Sequence, residues 1–158
     1  MRTLCRRIVA VPAVALVALA GPAAALAQAP SGSDVGLPVV QLSVDVGPDA
    51  VLAENRVVAR VPVGVICNVP GAKEAYVSVR VVQAAGGAVA SGYGSVPGGV
   101  PCDGLLHEAV VSVVADSGGA PFRAGDAAAT GSASACEEAG ENCEFVENEP
   151  QDLTLRRA

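Results

Sequence analysis

Residues 75–93 have the sequence AYVSVRVVQAAGGAVASGY, and this stretch decides the fold class. Val77, Val79 and Val81 are separated by one serine and one arginine, which gives the period of two that a strand with one buried face requires. Gly86-Gly87 then supplies turn residues, and a second short stretch of strand-forming residues follows. Residues 75–93 therefore predict a β-hairpin.

The same alternation recurs along most of the chain beyond Val39, with turn-forming Gly, Pro and Asp residues between the stretches. No stretch combines helical length with helical periodicity. About seven short strands in about 120 residues predict an all-β Greek-key β-sandwich. The expected strands are residues 39–46, 56–67, 75–83, 88–93, 105–115, 127–136 and 152–157.

Two of these strands carry further expectations. Pro62 lacks the N–H that a ladder needs, so the strand 56–67 is expected to lie at a sheet edge or to carry a bulge there. Residues 127–136 are almost all Ala, Ser, Thr or Gly, which predicts a close approach between sheets. Because the chain has two Phe, two Tyr and no Trp, its core is expected to consist largely of Val, Ala and Leu.

The amino-terminal residues have the pattern of a cleavable secretory signal peptide. Arg2, Arg6 and Arg7 precede an apolar run over residues 8–20, and the small residues that signal peptidase requires follow in Ala25-Leu26-Ala27. The apolar run has thirteen residues, whereas a membrane-spanning helix needs about twenty. Cleavage is therefore favoured over a retained anchor, and no stable membrane insertion is expected afterwards.

The expected organisation is a signal peptide at 1–27, a flexible segment at 28–38 and a β-sandwich domain at 39–158. Cleavage after Ala25 is an alternative register. The mature chain of 131 residues has seven basic and sixteen acidic residues, a net charge of −9. This charge repels nucleic acid and anionic lipid, so both are disfavoured as partners. The expected location is extracellular.

The mature chain keeps four cysteines, an even number that predicts a disulfide framework with three alternative connectivities. No Cys-x-x-Cys pair is present, so zinc is disfavoured and no metal site is predicted. We favour Cys67–Cys102 and Cys136–Cys143, whose loops would stabilise the fold by up to about 4 and about 2.5 kcal/mol. A Cys67–Cys136 bridge between two sheets stays open as the alternative.

No catalytic or cofactor-binding residue is predicted. His107 is the single histidine, and the sequence places no Ser or Cys nucleophile beside it and contains no Gly-x-Ser-x-Gly motif. The scattered Gly pairs are not followed by a helix, so they do not predict a phosphate site. We therefore interpret His107 as a strand-end or partly buried imidazole and expect a protein that is not an enzyme.

Residues 137–152 concentrate negative charge. Their spacing matches no calcium-loop motif, so a solvated acidic surface is favoured over a calcium site, which stays open as the alternative. The short Cys136–Cys143 loop is also compatible with a secreted protease inhibitor, although no feature is specific for inhibition. The carboxylates are Glu137, Glu138, Glu141, Glu144, Glu147, Glu149 and Asp152.

The chain resembles small exported immunoglobulin-like proteins of high-GC Gram-positive bacteria. The likeness covers roughly residues 39–157 and rests on strand spacing and cysteine placement. It implies an immunoglobulin-like sandwich with about seven strands and no known activity. The stretches that carry it are Val65-Ile66-Cys67, residues 77–83, Cys102-Asp103-Gly104 and Gly125-Asp126-Ala127.

In general character the chain is also similar to the enediyne-carrying apoproteins, which are secreted, acidic, two-disulfide immunoglobulin-like sandwiches. This likeness implies a carrier of a small hydrophobic ligand. The first expectation is a secreted, non-enzymatic domain that binds an extracellular protein or small molecule through its surface, or serves as a structural module. The carrier is the alternative, because the chain has no Trp to line a ligand cleft.

Overall fold

The computed structural model describes residues 39–53, 55–138, 140 and 142–158. The predicted signal peptide 1–27 and segment 28–38 therefore lie outside the described residues. The described part contains strands and no helix, so it has no helix long and apolar enough to cross a membrane. The strands are β1 (Gln41–Val46), β2 (Asp49–Leu52), β3 (Val58–Asn68), β4 (Glu74–Ala85), β5 (Ala88–Ser95), β6 (Val100–Pro101), β7 (Leu106–Ala115), β8 (Gly125–Cys136), β9 (Cys143–Glu147) and β10 (Gln151–Arg157).

Seven of these strands close into a ring. Around the ring, β4 is followed by β5, β7, β3, β2, β10 and β8, and β8 pairs again with β4. The pairs in the ring are antiparallel except β2 with β10, which is parallel. β1, β6 and β9 add to β3, β4 and β8 respectively. The predicted all-β class is confirmed, and the ring closure is a finding of the structure.

The hairpin predicted from residues 75–93 is present as β4 and β5, which pair from Ser78 with Ser95 to Ala85 with Ala88. Its alternation buries three valines in the interior, as expected: Val77, Val79 and Val81. The structure adds strands that the sequence pattern did not predict, namely β2, β6 and β9. These three are short, and a period of two is hard to recognise over so few residues.

Pro62 lies opposite the break between β1 and β2, the two strands that pair with the same side of β3. β3 is paired on both sides, with β7 on one side and with β1 and β2 on the other, so it is not an edge strand. Val46 is opposite Val63, and Val51 is opposite Arg60. The segment that runs from β1 into β2 therefore has two more residues than the stretch of β3 that it faces. The Gly47 N–H donates to the Pro62 carbonyl (2.9 Å), and Pro62 has no N–H to return the bond. Neither expectation for the strand 56–67 is met, because it is not an edge strand and the two extra residues lie opposite Pro62 in the segment between β1 and β2.

The interior of the ring is packed with Val, Ala and Leu, as the composition predicts. β8 approaches β1 closely: a Cβ on Gly131 would lie 3.0 Å from Val46 Cγ2 and 3.1 Å from Val44 Cγ2. The small-residue strand thus allows the close approach expected of it. The buried apolar side chains of this core are Val44, Val46, Ala50, Leu52, Ala59, Val61, Val63, Val65, Val77, Val79, Val81, Ala90, Val100, Val111, Val113, Phe122, Ala129, Ala133, Leu153 and Leu155.

Phe122 is a fully buried aromatic side chain that comes from the loop between β7 and β8. Buried Gln83 holds this loop in place. Its Nε2 donates to the carbonyls of Arg123 (2.8 Å) and Asp126 (3.2 Å), and its Oε1 accepts from the Arg123 N–H (2.8 Å). Because its amide group is well satisfied, Gln83 can be buried without a large cost in free energy.

β5 pairs with β4 along its whole length on one side, and on its other side it pairs with β7 through Gly92 and Tyr93. A Cβ on Gly94 would lie 2.2 Å from the Ser112 carbonyl oxygen, and one on Gly92 would lie 2.5 Å from the Val114 carbonyl oxygen. Both distances are too short for any side chain. The two glycines therefore let the backbones of β5 and β7 approach.

Gly94→Ala should destabilise the fold by about 3 kcal/mol or more, because its methyl group would displace the backbone of β7. Gly118→Ala is the matched control, since a Cβ there meets no heavy atom within 4 Å and its effect should stay within about 0.5 kcal/mol. Urea unfolding measures both. Equal stability of the two variants would contradict this account of the closure.

Two disulfides are present, as the sequence predicts, and they join Cys67 to Cys102 and Cys136 to Cys143. These are the pairs favoured above. Cys67 is buried in a small apolar cluster separate from the main core, whereas Cys136 and Cys143 are opposite each other in the β8–β9 hairpin. Two disulfides fit an oxidising environment. The cluster around Cys67 also contains Val69, Ala75 and Ala135.

Replacing both Cys67 and Cys102 by Ala should cost about 2–5 kcal/mol of unfolding free energy, because the bridge closes a long loop. Replacing both Cys136 and Cys143 by Ala should cost less, since only 7 positions separate them, against 35 for the other pair. Chemical unfolding of the two double variants measures both values, and the reverse order of stability would refute the prediction.

Candidate functional site

Three of the four Phe and Tyr side chains of the protein are exposed. Tyr76, Tyr93 and Phe145 are 62%, 58% and 67% exposed, whereas Phe122 is buried. A chain with so little aromatic area for its core would gain stability by burying these rings. Their exposure is therefore the observation in this structure that most clearly calls for a functional explanation.

The three exposed rings lie on one outer surface. Tyr76 on β4 is opposite Ser134 on β8, and Ser134 is opposite Phe145 on β9. Tyr93 on β5 is opposite Arg80 on β4. Opposite residues of antiparallel strands share a face of the sheet. The alternation that buries the β4 valines thus places these side chains outside.

Serine side chains fill the space between the rings. Together with the rings they line a shallow groove of about 170 Å³, and two of them, Ser78 and Ser132, are joined by a hydrogen bond of 2.8 Å between their Oγ atoms. Hydroxyl groups flanked by aromatic rings offer both polar and apolar contacts. We call this surface the aromatic–serine face, and it consists of Tyr76, Ser78, Tyr93, Ser95, Ser132, Ser134 and Phe145.

Charged groups differ between the two ends of this face. At one end, the Tyr76 hydroxyl donates to Glu74 Oε1 (3.1 Å), and Glu147 is opposite Ser132. At the other end, Arg80 lies beside Tyr93. The hydrogen bond to Glu74, and then the negative charge of Glu74, raise the pKa of Tyr76. The Tyr76 hydroxyl therefore stays protonated. Glu74 and Glu147 make the end of the face near Phe145 anionic.

Glu74→Gln should lower the pKa of Tyr76 toward its ordinary value of 10.0, because the substitution removes both the negative charge and the carboxylate acceptor. Titration of tyrosinate absorbance in a Tyr93→Phe background reports Tyr76 without interference. Glu108→Gln is the control and should leave the titration unchanged. An unchanged pKa in the Glu74→Gln variant would show that Glu74 does not act on Tyr76.

His107 is paired with a carboxylate and not with a nucleophile. Its Nε2 lies 2.8 Å from Asp103 Oδ1, which also accepts a hydrogen bond from the Leu105 N–H (3.0 Å). The hydrogen bond from His107, and then the one from Leu105, lower the pKa of Asp103. These contacts fasten the loop that follows Cys102 to the start of β7, so the role that the structure assigns to them is local and structural.

The predicted acidic surface surrounds the β8–β9 hairpin. Lys73 forms an ion pair with Glu138, and Asn142 Nδ2 donates to Glu137 Oε2 (3.0 Å). Within the part of the chain that the structure describes, no group of three or more His, Cys, Asp or Glu side chains is arranged to hold a metal ion. Glu141, which belongs to the predicted acidic set, lies outside the described residues.

A second surface groove of about 620 Å³ lies on the outer side of β3 and β7. It is lined by Pro62, Gly64, Leu106 and Val110, among others, and the last two are exposed. This groove has no aromatic ring. Substitutions in this groove are therefore suitable controls for substitutions in the aromatic–serine face.

Sequence reasoning missed the aromatic–serine face. Alternation around the β4 valines implies that Tyr76 points outward, but Phe145 lies in β9, which was not a predicted strand. Which strands are neighbours is fixed by the ring closure, which the local pattern does not contain. Comparisons with protein-family models, with curated proteins and with solved structures found no match to this chain.

Proposed function

We propose that this protein is a secreted, non-enzymatic, immunoglobulin-like domain that binds a partner through the aromatic–serine face. The observation that carries this proposal is the exposure of Tyr76, Tyr93 and Phe145 on one surface. Aromatic side chains provide large contact areas at a low cost in conformational entropy, which is why binding surfaces are enriched in them. The partner is an extracellular protein or small molecule.

Secretion is supported by two independent features. Residues 1–27 have the charge, apolar run and small residues of a signal peptide. The two disulfides fit the oxidising conditions outside the cell. Disulfides persist outside the cytosol because the cytosolic reducing systems are absent there. The negative charge of the mature chain favours solubility outside the cell.

An immunoglobulin-like relationship is supported by the pairing of the strands. Hairpins alternate with connections between strands that do not pair with each other, and β2 near the start of the domain pairs in parallel with β10, the last strand in chain order. The close contact between Gly131 and the two β1 valines, Val44 and Val46, counts against a carrier with a ligand between the layers, because little room remains there. Surface binding is therefore favoured over the carrier function.

The proposal predicts that the aromatic rings can be removed without loss of the fold. A triple variant, Tyr76→Ala, Tyr93→Ala and Phe145→Ala, should keep its unfolding free energy within about 1 kcal/mol, because each ring is largely exposed. Phe122→Ala is the matched control and should cost about 3–5 kcal/mol, because this ring is fully buried. Thermal and urea unfolding measure both.

The same triple variant tests binding. Native mass spectrometry and cross-linking of the protein secreted by the organism that encodes it should detect a bound partner with the natural sequence and not with the variant. Unfolding of the triple variant would show that the rings are structural, and a partner retained by the folded variant would place binding elsewhere. A small hydrophobic ligand retained by the variant would favour the carrier.

A further inference from the structure

The end of the aromatic–serine face near β9 contains a notch between two rings. Tyr76, Ser134 and Phe145 are successive cross-strand partners on β4, β8 and β9. Neighbouring strands are about 4.8 Å apart, so the two ring-bearing positions are separated by about 10 Å. All three residues line the same groove, and the short Ser134 side chain forms its floor. We call this place the Tyr76–Phe145 notch.

The width of the notch suits a cationic group. A cation is attracted to an aromatic face when it lies within about 6 Å of the ring centre. A group midway between the two ring-bearing positions would lie about 5 Å from each backbone, where both side chains can approach it within that distance. The Ser134 hydroxyl below could accept a hydrogen bond from an ammonium or guanidinium N–H.

The charges around the notch are complementary to a cation. Glu74 is hydrogen-bonded to the Tyr76 hydroxyl, and Glu147 lies two residues from Phe145 on the same side of β9. The nearby Lys73 is already paired with Glu138, and Arg80 lies at the other end of the face, opposite Tyr93. The carboxylates beside the two rings would therefore attract a positively charged partner.

We propose that the Tyr76–Phe145 notch binds the Lys or Arg side chain of an extended peptide segment belonging to the partner; this rests on the function proposed above. β9 has one neighbouring strand, β8, among the described residues, so an extended segment can lie along its other side. Exposed Glu149, two residues beyond Glu147, continues the negative charge past the notch and complements a further basic residue of such a segment.

The test is a nuclear magnetic resonance titration of the secreted protein with a blocked peptide of alternating Lys and Thr, about ten residues long. The amide signals of Ser134 and of its cross-strand partners should shift. Tyr76→Ala, Phe145→Ala and Glu147→Gln should each weaken binding about twofold to fivefold, the effect expected for one exposed cation–π contact or ion pair. Phe145→Tyr should preserve binding, because the ring is kept.

Matched controls separate the notch from general attraction between opposite charges. Leu106→Ala removes an equally exposed apolar side chain from the β3–β7 groove, and Glu108→Gln removes a carboxylate beside the same groove. Both should leave the affinity unchanged within the error of the titration. A peptide of alternating Glu and Thr should not bind.

Four results would overturn the proposal: no shift with the Lys–Thr peptide, equal binding of the Glu–Thr peptide, equal weakening by Leu106→Ala and Phe145→Ala, or binding of free butylammonium as tight as that of the peptide. The last result would assign the notch to small amines. If the peptide titration fails but the triple variant still loses its native partner, the cationic ligand is rejected and the surface-binding function is kept. Failure of both experiments would reject both proposals.

Discussion

The close approach of the β5 backbone to the β7 backbone is the constraint on which the rest of the structure depends. Gly94 and Gly92 allow it because a side chain at either position would collide with a carbonyl oxygen of β7. The same absence of a side chain at Gly92 leaves room for Phe122, whose ring would lie 2.9 Å from a Cβ there. One local steric requirement thus closes the ring and admits its largest buried side chain.

Much of the fold could be predicted from the sequence, because the alternation of apolar and polar residues is a local signal. It located the β4–β5 hairpin and most of the longer strands, and it identified Val77, Val79 and Val81 as buried. The order of strands around the ring could not be predicted, since it depends on contacts between distant residues. Phe122 was missed for a different reason: it lies in a loop and is held there by Gln83, and no periodic pattern marks such a residue.

The candidate site shows the same limit. Its β4 and β8 residues follow from alternation, but Phe145 joins them only because β9 adds to β8, with Cys136 opposite Cys143 at the end of the hairpin. A bridge across so short a loop contributes less to stability than the Cys67–Cys102 bridge. Its value in the proposed function is that it holds β9 beside β8 before a partner arrives, which lowers the entropy lost on binding.

The parallel pairing of β2 with β10 has a consequence for the order of events during biosynthesis. Asp49 is opposite Thr154, so partners in this pair are separated by roughly 100 residues of chain. The ring cannot close until residues 151–157 have been made, and contacts between such distant segments form slowly. A nascent chain therefore remains open while its earlier strands are translated. For a protein exported as proposed here, this delay keeps the polypeptide in a form that can still be threaded across a membrane.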